Sequence, residues 1–143
     1  MPDLAIPDTS CLIGLTAGGV LDLLPRLYTA VIVPGAVATE FGDALPPWIA
    51  VAPITDLGAV RALRSSLGAG ETEVIALALE RPDALAVLDD FSARQVARDA
   101  GVRFTCTAGI RLKAKAAGLL GSVSGTIDLM ARAGFRFSSA PGL

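Results

Sequence analysis

Short apolar runs alternate with amphipathic stretches along most of the chain. Leu4-Ala5-Ile6 reads as a brief strand ending at Asp8, with a helix from about Ser10. Gly18-Gly19 breaks that helix, and a second amphipathic segment covers Val20 to Leu27. Ala30-Val31-Ile32-Val33 is a β-branched run, which suits a pleated surface and predicts a strand. Pro34-Gly35 then predicts a helix through Phe41 with proline at its first position. Pro46-Pro47 forces an extended connector to Trp48 and the Ile49 to Ile54 stretch. Leu57 to Leu67 reads as helix, and Gly68-Ala69-Gly70 opens another over Glu71 to Glu80.

Ala84-Leu85-Ala86-Val87-Leu88 is continuously apolar, as a strand covered on both faces of a parallel sheet must be. It ends at Asp89-Asp90. The next helix is expected to turn Ala93, Val96, Ala97 and Ala100 inward and Arg94 and Arg98 outward, with Gly101 as its stop. Val102 to Thr105 is a further strand. Helices are predicted near Thr107–Ala117 and Ser124–Ala133, and Gly134 ends the last before Phe135-Arg136-Phe137-Ser138. Strands alternating with helices specify a three-layer α/β domain: a mostly parallel sheet of four or five strands between helices. At 143 residues the chain fits a single domain over residues 1–143.

Composition narrows the chemistry. The chain is 52% hydrophobic and 18% charged, which excludes intrinsic disorder. Its longest uncharged runs, Thr9 to Leu21 and Leu27 to Thr39, are 13 residues each and too short to span a bilayer. Met1-Pro2-Asp3 has no positive charge ahead of the apolar stretch, so no secretory signal is read and a cytoplasmic location is expected. There is no histidine, which removes Ser-His-Asp and Cys-His catalysis, His-based zinc sites and imidazole nucleases together. The two cysteines, Cys11 and Cys106, cannot make a four-thiolate metal site and read as reduced core residues.

What remains is carboxylate, hydroxyl, Arg and Lys, a set suited to hard cations such as Mg²⁺ or Mn²⁺. Ligands of open parallel sheets bind beyond the carboxyl ends of the strands. Asp8 and the pair Asp89-Asp90 follow strands; Glu40 and Glu71 lie on helices nearby. Glu73 competes with Glu71, but Glu71 shares a face with Ile75, Ala78 and Leu79 and so stands at the rim of a buried surface. Each acid also has a structural explanation, as a helix cap or a charge favoured by the helix dipole. Gathered on one edge, however, these carboxylates repel one another, and with no histidine a divalent cation is the natural counter-charge. Thr9 and Ser10 are placed to orient the Asp8 oxygens.

The net charge of −2 hides an asymmetry: residues 1–90 carry 12 acids and 4 bases, residues 91–143 carry 2 acids and 8 bases. A basic rim beside an acidic centre suits an enzyme acting on a polyanion. An aspartyl phosphotransferase would need Asp two residues after Asp8, where Ser10 stands, and a lysine ahead of Asp89-Asp90, whereas Lys113 and Lys115 follow it.

The sequence resembles the PIN domain, the fold of VapC-type toxins and related metal-dependent ribonucleases, from about Leu4 to Ser138. Asp8-Thr9-Ser10-Cys11-Leu12-Ile13 resembles the opening motif, and Val31 to Phe41 the second block, whose acid is Glu40. Gly70-Glu71-Thr72-Glu73 resembles the helix start carrying the third acid. Leu88-Asp89-Asp90 followed by Ala93-Arg94 resembles the fourth block, with Asp90 favoured as ligand over Asp89. Thr105-Cys106-Thr107, Gly118-Leu119-Leu120 and Ala133-Gly134-Phe135 resemble the tail of a compact branch, and Thr107 is expected beside the ligands. Two departures are Pro7, in place of a strand residue able to donate a ladder hydrogen bond, and Cys106, where glycine is common. The resemblance implies a Mg²⁺- or Mn²⁺-dependent endoribonuclease held by Asp8, Glu40, Glu71 and Asp90, with an RNA substrate, a homodimer and an antitoxin partner. Arg94, Arg98, Arg111, Lys113 and Lys115 are the candidate RNA contacts. A catalytically silent PIN-like module that binds protein or RNA is the alternative.

Overall fold

A computed structural model of the protein describes residues 4–120. The helix predicted over Ser124–Ala133 and the Phe135–Ser138 segment lie outside the described residues. Strand β1 (Leu4–Pro7) leads to α1 (Thr9–Ala17) and α2 (Leu23–Leu27). Next come β2 (Ala30–Val33), α3 (Gly35–Phe41), β3 (Ile49–Val51), α4 (Leu57–Leu63) and α5 (Ala69–Leu79). The chain continues through β4 (Ala84–Val87), α6 (Phe91–Asp99), β5 (Phe104–Thr105) and α7 (Thr107–Ala116). All pairings among these five strands are parallel, in the order β3-β2-β1-β4-β5.

That order places β1 at the centre and divides the connections between its two sides. β2 pairs with β1 on one flank, Leu4 opposite Ala30, and β4 on the other, Ala5 opposite Leu85. Ala5, Ile6, Ala86 and Val87 are wholly buried, because helices cover both faces of the sheet. The core continues through Leu12, Leu15, Val33, Ile75 and Leu77.

A proline is unusual in a central strand, and the ladder explains it. The amide of Asp8 donates to the Val87 carbonyl at 3.0 Å, so the preceding nitrogen, that of Pro7, faces the β2 side. There the β1–β2 register ends at Ala5 opposite Val31, and no donor is needed.

The structure corrects several expectations locally. Pro34 is the N-cap of α3 and precedes its first helical residue (φ −75°, ψ 165°). The Leu57–Leu67 helix stops at Leu63, and β3 ends at Val51. On α6 Ala93 and Ala97 are buried as expected, but Ala100 is exposed and Arg94 is turned inward. Gly101 does end that helix, at a positive φ of 77° that favours glycine. Cys106 precedes α7 at φ −128°, an ordinary extended conformation that makes no demand for glycine. No helix of the described residues is long and apolar enough to cross a membrane.

Candidate active site

Asp8 stands where β1 gives way to α1, with one carboxylate oxygen committed to each side. Its Oδ1 accepts from the Cys11 amide at 2.7 Å and so caps the helix. Its Oδ2 accepts from the Asp89 amide at 3.2 Å, across the junction between β1 and β4. Asp8 is 3% exposed, too buried to move with solvent. Burial, and then the neighbouring Asp89 carboxylate, pushes the Asp8 pKa well above the ordinary carboxylate range, against the lowering effect of the two amides.

Asp8, Thr9, Ser10, Glu40, Gly70 and Glu71 line one hollow of about 210 Å³ at the carboxyl edge of the sheet. Helix α3 packs on α1 and α5, which brings Glu40 to that edge. The Thr9 hydroxyl donates to Glu40 Oε1 at 2.7 Å, fixing an otherwise exposed carboxylate. Thr9 therefore orients Glu40; the Asp8 oxygens are held by backbone amides. Ser10 lines the hollow and is exposed.

Glu71 and Glu73 are separated by what each touches. Glu73 Oε1 accepts from the Ala36 amide at 3.0 Å and supplies the acceptor that Pro34, with no side-chain cap, cannot give to α3. Glu71 is half-buried and its Oε2 is enclosed without a hydrogen-bond partner. Burial, then Asp90, then Glu40 raises the Glu71 pKa, so three carboxylates share one electrostatic neighbourhood.

Asp89 and Asp90 divide the work differently. Asp89 is buried, and its Oδ1 and Oδ2 accept from the Thr107 amide at 2.7 Å and hydroxyl at 2.6 Å. Burial raises its pKa, while those hydrogen bonds and the Arg94 charge pull it down. Thr107 thus tethers α7 to the end of β4. Asp90 is exposed and caps α6, its Oδ2 accepting from the Ala93 amide at 2.9 Å.

The cations are the main correction. Arg94 and Arg111 are 4% and 0% exposed and present no surface to an RNA strand. Arg94 serves as a buried counter-charge that acts on Asp89, a role helical periodicity does not reveal. Burial pushes the Arg111 pKa down to about 10. Lys113 is half-buried with its ammonium 4.5 Å from the Tyr28 ring centre, leaving Arg98 and Lys115 as the exposed members of the expected set.

Do these side chains suit a divalent cation? Among the described residues no three acidic or thiol groups meet closely enough to form a ready-made coordination shell. The donor chemistry nevertheless fits: oxygen only, excess negative charge around one hollow, and an enclosed Glu71 oxygen lacking any partner. Asp8, Glu40 and Glu71 line that hollow, and Asp90, outside its lining, acts on Glu71 electrostatically.

Gly70 is a part of this site that the sequence reading used only as a helix start. A Cβ on Gly70 would overlap Glu40 Oε1 and stand 3.4 Å from the Thr9 hydroxyl. Gly70→Ala is therefore expected to displace the Glu40 carboxylate and weaken Mn²⁺ binding about ten-fold, a typical loss when a supporting contact of a metal site is removed. Stability should not fall, since alanine favours the helix interior by about 1 kcal/mol. Calorimetric Mn²⁺ titration beside a thermal melt checks both parts.

The comparisons with known proteins agree with this arrangement. The model of the family DUF3368, a PIN domain, matches residues 4–141. No curated protein and no solved structure matched the chain. With the match running through every element described above, and the acids on one edge of a 3-2-1-4-5 parallel sheet, the chain belongs to the PIN-domain family.

Proposed function

We propose that the protein is a divalent-metal-dependent endoribonuclease, with Asp8, Glu40, Glu71 and Asp90 as the carboxylates that hold Mg²⁺ or Mn²⁺. The observation that carries this reading is the enclosed Glu71 oxygen, without a partner, in a hollow shared with Asp8 and Glu40. Bound there, the ion supplies Lewis acidity toward a phosphodiester and makes water nucleophilic at neutral pH. The chain's own groups do the positioning. The Cys11 and Asp89 amides fix Asp8, Thr9 orients Glu40, and Asp89 with Thr107 sets the end of β4 from which Asp90 projects. Arg98 and Lys115 draw the polyanion toward an edge that would otherwise repel it.

The toxin of a toxin–antitoxin pair is the role this activity would serve, with an antitoxin covering the hollow and a homodimer as the working unit. The absence of a ready-made coordination shell among the described residues favours the second reading, a silent module that binds RNA or protein. Incubation of mixed RNA with the purified protein separates the two. Cleavage that requires Mg²⁺ or Mn²⁺ and stops with EDTA is expected; RNA that is bound but intact with either metal leaves only the binding module.

A further inference from the structure

Asp89 is the buried acid that the hollow leaves out. Asp8, Glu40 and Glu71 line the hollow, whereas Asp89, 7% exposed, gives both side-chain oxygens to one residue outside it. Oδ1 accepts from the Thr107 amide at 2.7 Å and Oδ2 from the Thr107 hydroxyl at 2.6 Å. Two short bonds from a single partner fix a carboxylate in direction as well as in position.

The main chain of the same residue has a different task. The Asp89 amide donates to Asp8 Oδ2 at 3.2 Å, while the Cys11 amide donates to Asp8 Oδ1 at 2.7 Å. The Asp89 bond is the longer of the two, so a small backbone shift there loosens Asp8 first. Thr107 is wholly buried and follows β5, two strands away from β1. A chain of contacts therefore runs from the start of α7, through residue 89, to the first acid of the hollow. All three residues are buried, where a satisfied polar network is rigid and a broken one is costly.

We propose that Thr107 is a positioning residue of the metal site: it clamps the Asp89 side chain so that the Asp89 amide holds Asp8 for the ion, and Asp89 itself is not a ligand. This rests on the metal-binding reading above. What Thr107 needs from residue 89 is a pair of hydrogen-bonding atoms, and what Asp8 needs from it is an amide. Asparagine supplies both, because its side-chain oxygen accepts from the Thr107 N–H and its NH₂ donates to the hydroxyl, which accepts as well as donates. Alanine supplies the amide without the clamp.

The test is calorimetric Mn²⁺ titration beside a thermal melt, on wild type, Thr107→Val, Thr107→Ser, Asp89→Asn and Asp89→Ala. Thr107→Val removes the hydroxyl at nearly constant volume and is expected to raise the Mn²⁺ Kd about ten-fold, a usual loss for a supporting contact of a metal site. Thr107→Ser keeps both donors and should bind as wild type does. Asp89→Asn and Asp89→Ala lose the same charge, so their difference reads the clamp alone. Asparagine is expected to bind Mn²⁺ about ten-fold more tightly than alanine at that position. Thr107→Val added to Asp89→Ala should cost nothing further, since the residue it acts through is already gone. Titrations run well below the lowest melting temperature, so lost stability does not enter the Kd.

Equal Mn²⁺ affinity of Thr107→Val and wild type overturns the inference. So does equal affinity of Asp89→Asn and Asp89→Ala, which makes Asp89 a ligand or a bare charge; this comparison decides by itself if Thr107→Val fails to fold. In both cases wild type still binds Mn²⁺ and the metal-binding reading stands. Wild type that titrates no Mn²⁺ overturns the reading and the inference together.

Discussion

Asp8→Asn protein is expected to leave RNA intact under conditions where wild type cuts it with Mg²⁺ or Mn²⁺, a loss of at least about 10³-fold. The magnitude follows from the several kcal/mol of charge stabilisation that a held divalent ion supplies at a phosphodiester. Asp8 is the most buried of the acids around the hollow and the one fixed by amides from both α1 and the end of β4. Asparagine still accepts from the Cys11 amide and still caps α1, so the helix should persist. Its amide group, however, carries no charge and brings N–H hydrogens toward a site that needs lone pairs. Gel assay of RNA, with circular dichroism to confirm the fold, gives the measurement. Cleavage equal to wild type would remove Asp8 from the metal site.

The second large effect concerns charge. Asp8, Glu71 and Asp89 all have folded pKa values raised by burial, so the folded state binds protons more tightly than the unfolded chain. Stability from this source is fully present below the ordinary carboxylate values of 3.8 to 4.5 and is lost as pH rises through the raised ones. Metal-free wild type should therefore lose stability relative to Glu71→Gln as pH climbs from about 4.5 to 7.5, since glutamine carries no charge to bury. Mn²⁺ should reverse the loss. At one hundred times its Kd a ligand adds about 2.7 kcal/mol, several degrees of Tm. Melting curves of both proteins across pH, with and without Mn²⁺, test the sign. A metal-free wild type whose margin over Glu71→Gln grows with pH, or a melt indifferent to millimolar Mn²⁺, would contradict the crowding of carboxylates as the site's defining feature.

The architecture was legible because its signals are local. The apolar run Ala84–Leu88 and the β-branched run Ala30–Val33 need no knowledge of neighbours to read as buried parallel strands. Asp8 and the Asp89-Asp90 pair were singled out because strand ends are where such sheets bind ligands. The choice of Glu71 over Glu73 followed from helical spacing, and the structure supplies what spacing lacks: Glu73 is drawn off to the open end of α3 by the Ala36 amide. The pairing spans 37 residues and has no trace in either local pattern.

Arg94 was misplaced for the same reason. A charged residue on an amphipathic helix is assigned outward unless something buried neutralises it, and the partner field at Asp89 comes from another element. Gly70 shows another kind of blindness. What it leaves room for, the Glu40 carboxylate, approaches from a helix thirty residues earlier.

One of the two hydrogen bonds that set Asp8 joins it to a residue 81 positions later, and that residue is in turn seated by Thr107. A polypeptide emerging from the ribosome thus carries its first acid long before the segments that immobilise it. Any product of interrupted synthesis or proteolysis that ends before Thr107 lacks the hydrogen bonds that seat Asp89, so this acidic edge is completed only after translation has passed that point.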